Sequence, residues 1–186
     1  MRWLLLIVPL VLSACLGGQP RRSEIRFDFG PPASEPAGDV GVMTVDLTTP
    51  SWLDSDAMQY RLLFADPTRR LDYAESRWVA TPGELLRQTL EHRLAGSGDG
   101  RCRLAIDVAE FIQEFDTAQD SRFLLDIRAT LSAGQDAVAS RSFDEAVPAP
   151  TANAKGGVAA AALAVRQLGG DLAAWLAGYR GRCRGG

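Results

Sequence analysis

The sequence between residues 122 and 131 alternates between apolar and polar side chains, which is the period of a half-buried β-strand. Its polar face carries charges of both signs, so we expect that face to meet water, as in antiparallel sheets that are covered on one side only. The other face must then be buried under helices. The apolar side chains are Phe123, Leu125, Ile127, Ala129 and Leu131, and the charged ones are Arg122, Asp126 and Arg128.

Six further segments have the composition or the period of β-strands. Asp66-Pro67-Thr68-Arg69 predicts a turn that joins two of them as a hairpin. Periodicity does not determine strand order, so we expect only a mixed or largely antiparallel sheet of about six strands. The six segments are residues 25–29, 40–47, 58–64, 71–78, 104–109 and 137–147.

Two segments have the pattern of amphipathic helices. The first begins at Thr81, which can cap a helix that continues with Pro82 and Glu84, and it ends near Gly96. The second runs over about residues 153–178, with apolar side chains at alternating spacings of three and four. This apolar seam consists of Val158, Ala161, Val165, Leu168, Leu172, Trp175 and Tyr179.

The seam of the second helix has two interpretations. Coiled coils use such spacing, so the seam could bind a second copy of the chain in a homo-oligomer. Packing on the sheet is the favoured interpretation, because a sheet with one apolar face needs helices to cover it. We predict one α+β domain over residues 25–186, with two layers and both helices on one face of the sheet.

The N-terminus has the three-part layout of a signal peptide. Met1-Arg2 precedes an apolar stretch over residues 3–12, too short to span a bilayer, which needs roughly 20 apolar residues. Leu12-Ser13-Ala14-Cys15 resembles the lipobox of bacterial lipoproteins, which implies cleavage before Cys15 and lipid attachment to its thiol. The alternative is an ordinary secretory peptide with an incidental cysteine.

This resemblance divides the N-terminus into two parts. Residues 1–14 are predicted to be a signal peptide, and residues 15–24 a lipidated cysteine followed by a flexible tether. Leu16, rather than Asp, follows the cysteine, so by the sorting rule of enterobacteria we expect anchoring at the periplasmic face of the outer membrane.

Cys102 and Cys183 are the two remaining cysteines. Thiols tend to pair in the oxidising compartment that a signal peptide implies, so we predict a disulfide between them. It would connect the start of a strand to the chain beyond the last helix. Two unpaired thiols are the alternative.

The charge and the chemistry of the sequence exclude several function classes. The chain has 20 Lys and Arg against 23 Asp and Glu, which gives no electrostatic basis for binding nucleic acid. His92 is the only histidine and lies between the apolar rows of its helix, where a solvated side chain is the default. Asp54 and Asp56 are close in sequence, but such loop acids are more often solvated than catalytic. We therefore expect no enzyme, metal site or cofactor.

The segment around Trp52 is the most distinctive of the chain. The residues from Pro50 to Asp54, Tyr60-Arg61-Leu62, Trp78 before a helix, and an Ala-rich C-terminal helix together resemble the family of ABC-type transport auxiliary lipoproteins. The resemblance covers nearly all of the chain beyond Cys15. Its motifs are mostly packing residues, which identify a family better than a site.

The resemblance implies a non-catalytic part in transport of lipid or another hydrophobic solute between membranes. The expected partners are an inner-membrane ABC transporter and its substrate-binding protein of the mammalian-cell-entry type. The alternative is a structural envelope lipoprotein that assembles or activates another machine without a lipid cargo.

Four apolar side chains are candidates for a partner or lipid surface, because aromatic and aliphatic anchors dominate interfaces. Trp52 and Leu53 are preferred since they lie in a loop, whereas Tyr60 and Trp78 could equally be core residues.

Overall fold

A computed structural model of the chain describes residues 23–31, 42–94 and 101–183. The predicted signal peptide, Cys15 and the tether up to residue 22 lie outside the described residues, as does the predicted end of the first helix at Gly96. Within the described parts of the chain, no helix is both long and apolar enough to cross a membrane.

The described residues form a mixed α+β fold with a seven-stranded sheet and two main helices, as predicted. The helices are α1 (Pro82–Leu94), α2 (Ala154–Ala177) and the short α3 (Arg180–Cys183), and a 3₁₀ turn spans Ser51–Leu53. The strands are β1 (Ile25–Phe27), β2 (Val42–Thr48), β3 (Ala57–Leu62), β4 (Asp66–Trp78), β5 (Cys102–Phe115), β6 (Ser121–Ala133) and β7 (Asp136–Pro148).

Strand β5 lies at the centre of the sheet and is shared by three neighbours. One edge pairs antiparallel with β6 from Cys102 to Phe115. The other edge pairs in parallel with two separate strands, with β2 along residues 102–107 and with β3 along residues 113–115. The chain therefore leaves this edge after β2 and rejoins it at β3. The remaining order is β1-β4-β3-β5-β6-β7.

A β-bulge divides β5 into two halves. The register with β6 shifts between Val108 and Glu110, where one extra residue on β5 has no cross-strand partner. Before the bulge, the even-numbered residues of β5 are buried under the helices. After the bulge, odd-numbered residues take that side, and Phe111 and Phe115 are 2% and 7% exposed. The prediction of a strand over 104–109 was too short, because the alternation that defined it changes phase at this point.

The apolar seam of α2 covers the sheet. The helix packs on β6 and β7, and α1 packs against β2 and α2. Within the seam, Ala161, Leu168 and Leu172 have no exposed surface. This confirms packing on the sheet as the role of the seam.

Side-chain caps start both helices where the sequence places them. The Glu84 amide donates to Thr81 Oγ1 at 3.3 Å, and the Gly156 amide donates to Asn153 Oδ1 at 3.0 Å. Each bond satisfies an amide that has no partner within its own helix.

Two predicted strand boundaries were wrong. The hairpin turn is at residues 63–65 rather than 66–69, since Asp66 already pairs with Leu62. Strand β1 ends at Phe27, and its Ile25 is 47% exposed, because this edge strand pairs with β4 over only three residues.

Cys102 and Cys183 form a disulfide, the pair that the sequence predicts. Both are buried, at 0% and 1% exposure, and the bond spans a sequence separation of 81 residues. The Arg101 amide also donates to the Cys183 carbonyl at 2.8 Å. The C-terminal helix is thus fixed to the first residue of β5.

Replacement of both cysteines, Cys102→Ala with Cys183→Ala, is expected to lower the free energy of unfolding by about 4 kcal/mol, since a long loop loses its closure in the unfolded chain. Urea unfolding of both proteins, followed by circular dichroism, measures the difference. Equal midpoints would show that the bond contributes no net stability.

Candidate docking surface

The face of the sheet that points away from α1 and α2, here called the open face, carries charged side chains in register across neighbouring strands. Glu110 of β5 lies opposite Asp126 of β6, which in turn lies opposite Asp144 of β7. Glu114 of β5 lies opposite Arg122 of β6. The sequence predicted this wet face from β6 alone.

Arginines from β3 and β4 neutralise the acids of β5. Arg61 contacts Glu114 at 2.7 Å and Glu110 at 3.3 Å. Arg70 contacts the other oxygen of Glu110. Arg122 joins Glu114, at 3.2 Å, and also Asp116, at 2.6 Å. The side chains of Arg61 and Glu114 are only 18% and 8% exposed, so these pairs are better shielded from water than ordinary surface ion pairs.

These ion pairs connect four strands on one face. They join β4 and β3 to β5, and β5 to β6. Ile112 shares this face, since it pairs with Leu124 between the two charged rows, yet it has no exposed surface. Neighbouring side chains therefore cover Ile112 in the middle of the open face.

Asp126, like its neighbour Asp144, forms no ion pair with a described residue. Its Oδ1 is buried and has no hydrogen-bond partner in the described part of the chain. Burial, and then the negative charges of Asp144, Glu110 and Glu114 in that order of effect, together raise the pKa of Asp126 to about 6. Asp126 therefore carries a full negative charge on the open face only well above pH 6.

The raised pKa of Asp126 predicts a pH-dependent stability. Between pH 3.8 and about 6 the folded chain keeps a proton that the unfolded chain has lost, so stability falls as the pH rises through this window. Asp126→Asn removes the effect. We expect it to stabilise the protein by about 1 kcal/mol at pH 7.5, allowing for solvent screening, and by almost nothing at pH 4.

Thermal unfolding of both proteins at the two pH values measures this difference. Asp136→Asn, at an exposed position in β7, is the matched control and should behave as the wild type at both pH values. An Asp126→Asn variant that is equally or less stable at pH 7.5 would contradict the account.

Residues 49–56 connect β2 to β3 and are here called the Trp52 loop. Both strands pair with one edge of β5, and the loop between them exposes Trp52. Its 3₁₀ turn is closed by the Leu53 amide, which donates to the Pro50 carbonyl at 2.9 Å. Trp52 is 50% exposed, whereas Leu53 is 2% exposed. Successive residues of a 3₁₀ turn point about 120° apart, so one side chain enters the core and the next faces outward.

Two contacts hold the exposed tryptophan in place. Gln59 Nε2 donates to the Trp52 carbonyl at 3.0 Å. The guanidinium carbon of Arg70 lies 5.6 Å from the centroid of the Trp52 ring, within the range of a cation–π contact. Arg70 also donates to Gln59 Oε1 at 3.0 Å and contacts Glu110, so the loop is connected to the ion pairs of the open face.

The structure corrects two of the four predicted surface residues. Leu53 is a core residue for the reason given above. Trp78 is 2% exposed because it lies on the helix side of β4, where its ring meets Phe29 at 5.5 Å and Phe111 at 5.6 Å. Tyr60 is half-buried, with its ring 4.7 Å from that of Tyr73. Only Trp52 is both aromatic and freely exposed among the four.

A buried polar group lies beneath this part of the sheet. Gln113 is 2% exposed, accepts from the Tyr73 hydroxyl at 2.9 Å and donates to Ser121 Oγ at 2.8 Å. Burial, with a smaller contribution from Tyr60, raises the pKa of Tyr73 and keeps its hydroxyl neutral. A Cβ added to Gly157 of α2 would lie 2.1 Å from Gln113 Oε1, so glycine permits the close approach of helix and sheet. These contacts give the network a structural role.

Asp54, Asp56 and His92, the three polar residues considered in the sequence analysis, do not form one site. Asp56 pairs with Arg26 at 3.2 Å, and Asp54 accepts from Thr49 at 3.5 Å. His92 is exposed on α1, beside a groove of about 300 Å³ between α1, α2 and residues 28–31. Over residues 23–31, 42–94 and 101–183, no three His, Cys, Asp or Glu side chains are placed to hold a metal ion.

Sequence reasoning missed two arginines of the open face. Arg61 was noted only within the Tyr60-Arg61-Leu62 motif, and Arg70 lies between the predicted turn at 66–69 and the strand predicted from residue 71. Glu110 and Glu114 follow the bulge, where the strand prediction had ended. A second phase of alternation in residues 110–115 was the signal that could have found them.

Comparison with solved structures identifies related folds. A Xanthomonas campestris protein of the family DUF330 superimposes with a TM-score of 0.66 at 19% identity, covering 88% of this chain and 90% of that one. A second, uncharacterised protein superimposes with a TM-score of 0.65 at 13% identity, covering 83% and 99%. At these identities the likeness is one of fold. No protein-family model matches the chain, and no curated protein matches it.

Proposed function

We propose that this protein is an envelope lipoprotein that docks onto an ABC-type intermembrane transport system through the Trp52 loop. The observation that carries the proposal is Trp52, which is 50% exposed and yet fixed by Gln59 and Arg70. Tryptophan and arginine are the residues most enriched at the energetic centres of interfaces. A side chain that is already ordered loses little entropy when a partner covers it.

The N-terminal sequence supports the anchor. Leu12-Ser13-Ala14-Cys15 gives the signal peptidase and the acylating enzymes their substrate, and residues 16–24 give the domain a tether. Two or more acyl chains on one cysteine suffice for stable attachment to a membrane. The domain then works at a membrane surface, with the outer membrane as the proposed site.

The sequence resemblance supports the transport system as the partner. The residues that carry it, Pro50 to Asp54 and Tyr60 to Leu62, form the Trp52 loop and the strand that follows it. Of these residues, Trp52 and Arg61 lie on the proposed docking surface. The proposed partners are an inner-membrane ABC transporter and a substrate-binding protein of the mammalian-cell-entry type.

A docking role, rather than catalysis, accords with the chemistry of the surface. The acids of β5 are occupied by Arg61, Arg70 and Arg122, so they are engaged in holding strands together. We propose that the protein is not an enzyme and that it acts by docking or by bridging two membranes.

Capture of partners from detergent-solubilised membranes tests the proposal. Tagged full-length lipoprotein is compared with its Trp52→Ala variant, and bound proteins and lipids are identified by mass spectrometry. The wild type is expected to recover the ABC transporter and the mammalian-cell-entry protein. Trp52→Ala should recover at least tenfold less, since loss of an interface tryptophan costs about 2 kcal/mol or more.

Two controls make the result specific. Phe64→Ala removes another exposed aromatic, 53% exposed in the turn between β3 and β4, and should bind as the wild type. Cys15→Ala should release the protein from membranes, which separates loss of the anchor from loss of docking. A folded, lipidated wild type that recovers neither partner would overturn the transport proposal and favour a structural envelope role without lipid cargo.

A further inference from the structure

Strand β7 forms one margin of the sheet and is unusually open for an edge strand. It spans 13 residues and pairs with β6 on one side, and no strand in the described residues pairs with its other side. Edge strands are commonly protected by shortness, by proline or lysine, by bulges or by inward-pointing charges, and along its middle β7 has only the charges, at Arg141 and Glu145. In β7 the only proline is the last residue, Pro148, and the only register shift lies beside the turn, between Leu131 and Ser132 of β6. Its free backbone groups can therefore accept another strand.

Arg141 and Glu145 of β7 form no ion pair with any described residue. Arg141 and Glu145 lie opposite Ala129 and Leu125 of β6, both fully buried, so they share the helix side of the sheet. The guanidinium of Arg141 lies 4.8 Å from the centroid of the Phe143 ring and forms no salt bridge with any described residue. Glu145 likewise has none, and burial and then Asp171 and Asp144 raise the pKa of its carboxyl.

We propose that β7 pairs antiparallel with β7 of a second copy of this chain, with Phe143 of both copies at the two-fold axis. In such a pair the axis is perpendicular to the sheet, so residues that face each other share one side of it. This register places Arg141 opposite Glu145 of the second copy. By symmetry, Glu145 lies opposite Arg141 of the second copy, so two ion pairs form. The two sheets then continue as one, and the inference stands apart from the proposed transport function.

Charge complementarity selects this register over its neighbours. With the axis at Ser142, Arg141 would face Phe143 and Glu145 would face Ala139, and neither charge would find a partner. With the axis at Asp144, two carboxylates would face each other, which destabilises a strand pair. The axis at Phe143 also places Ala139 opposite Val147. A strand that complements itself in this way fits a second copy better than an unrelated strand.

Disulfide trapping tests the register directly. Ser142 and Asp144 are exposed and would face each other across the axis, with Cα atoms about 5 Å apart, within reach of a disulfide. Full-length Ser142→Cys and Asp144→Cys proteins are purified in detergent, mixed and oxidised. The mixture is expected to form a cross-linked dimer, while each variant alone should cross-link far less, since its own cysteines would lie one diagonal apart. Cys102 and Cys183 are 0% and 1% exposed and paired with each other, so they do not interfere.

Charge reversal tests the ion pairs. By sedimentation analysis in matched detergent, we expect Arg141→Glu to weaken dimer formation about tenfold, because two attractive pairs become repulsive. The double variant Arg141→Glu with Glu145→Arg should restore it. Arg69→Glu, an exposed strand arginine on β4, is the matched control and should dimerise as the wild type. Circular dichroism verifies that each variant is folded.

Two results would overturn the inference. One is a wild type that sediments as a single chain, together with a mixture of the two cysteine variants that does not cross-link. That result would indicate that the free edge of β7 pairs with a strand of another protein, if with any. The other is a dimer that Arg141→Glu leaves unchanged, which would place the contact elsewhere.

Discussion

The sharing of one edge of β5 by β2 and β3 is the constraint on which the rest of the structure depends. Because two parallel strands occupy successive parts of the same edge, the chain between them must leave the sheet and return within residues 49–56. The bulge at Val108 to Glu110 lies between the two pairing regions and changes the phase of β5. Its apolar side chains thus face the helices at both ends, while Glu110 and Glu114 face outward.

The proposed docking surface follows from this arrangement. The excursion of the chain becomes the Trp52 loop, and the change of phase places the acids of β5 where Arg61 and Arg70 can reach them. Arg70 contacts both Glu110 and the Trp52 ring, so one side chain links the ion pairs to the exposed tryptophan. Removal of one partner from a shielded ion pair is strongly destabilising, because it leaves the other charge uncompensated.

Local chemistry made much of the fold predictable, and non-local pairing did not. Caps at Thr81 and Asn153 made the helix starts predictable, and the predicted export of the chain made the pairing of Cys102 with Cys183 predictable. The bulge was not predictable, because a period-two pattern fails where the phase changes. Trp52 is exposed and Leu53 is buried because a 3₁₀ turn separates two strands that pair with the same distant strand. No local sequence pattern predicts that pairing. Trp78 is buried by Phe29 and Phe111, which come together only in the fold.

Hydrogen–deuterium exchange of the full-length lipoprotein, free and bound to the captured transporter complex, tests most directly whether the Trp52 loop is the docking surface. The account predicts that binding slows exchange in residues 49–59 and on the adjoining open face, and leaves α1 and α2 unchanged. Slower exchange confined to α1 and α2, with residues 49–59 unaffected, would contradict it.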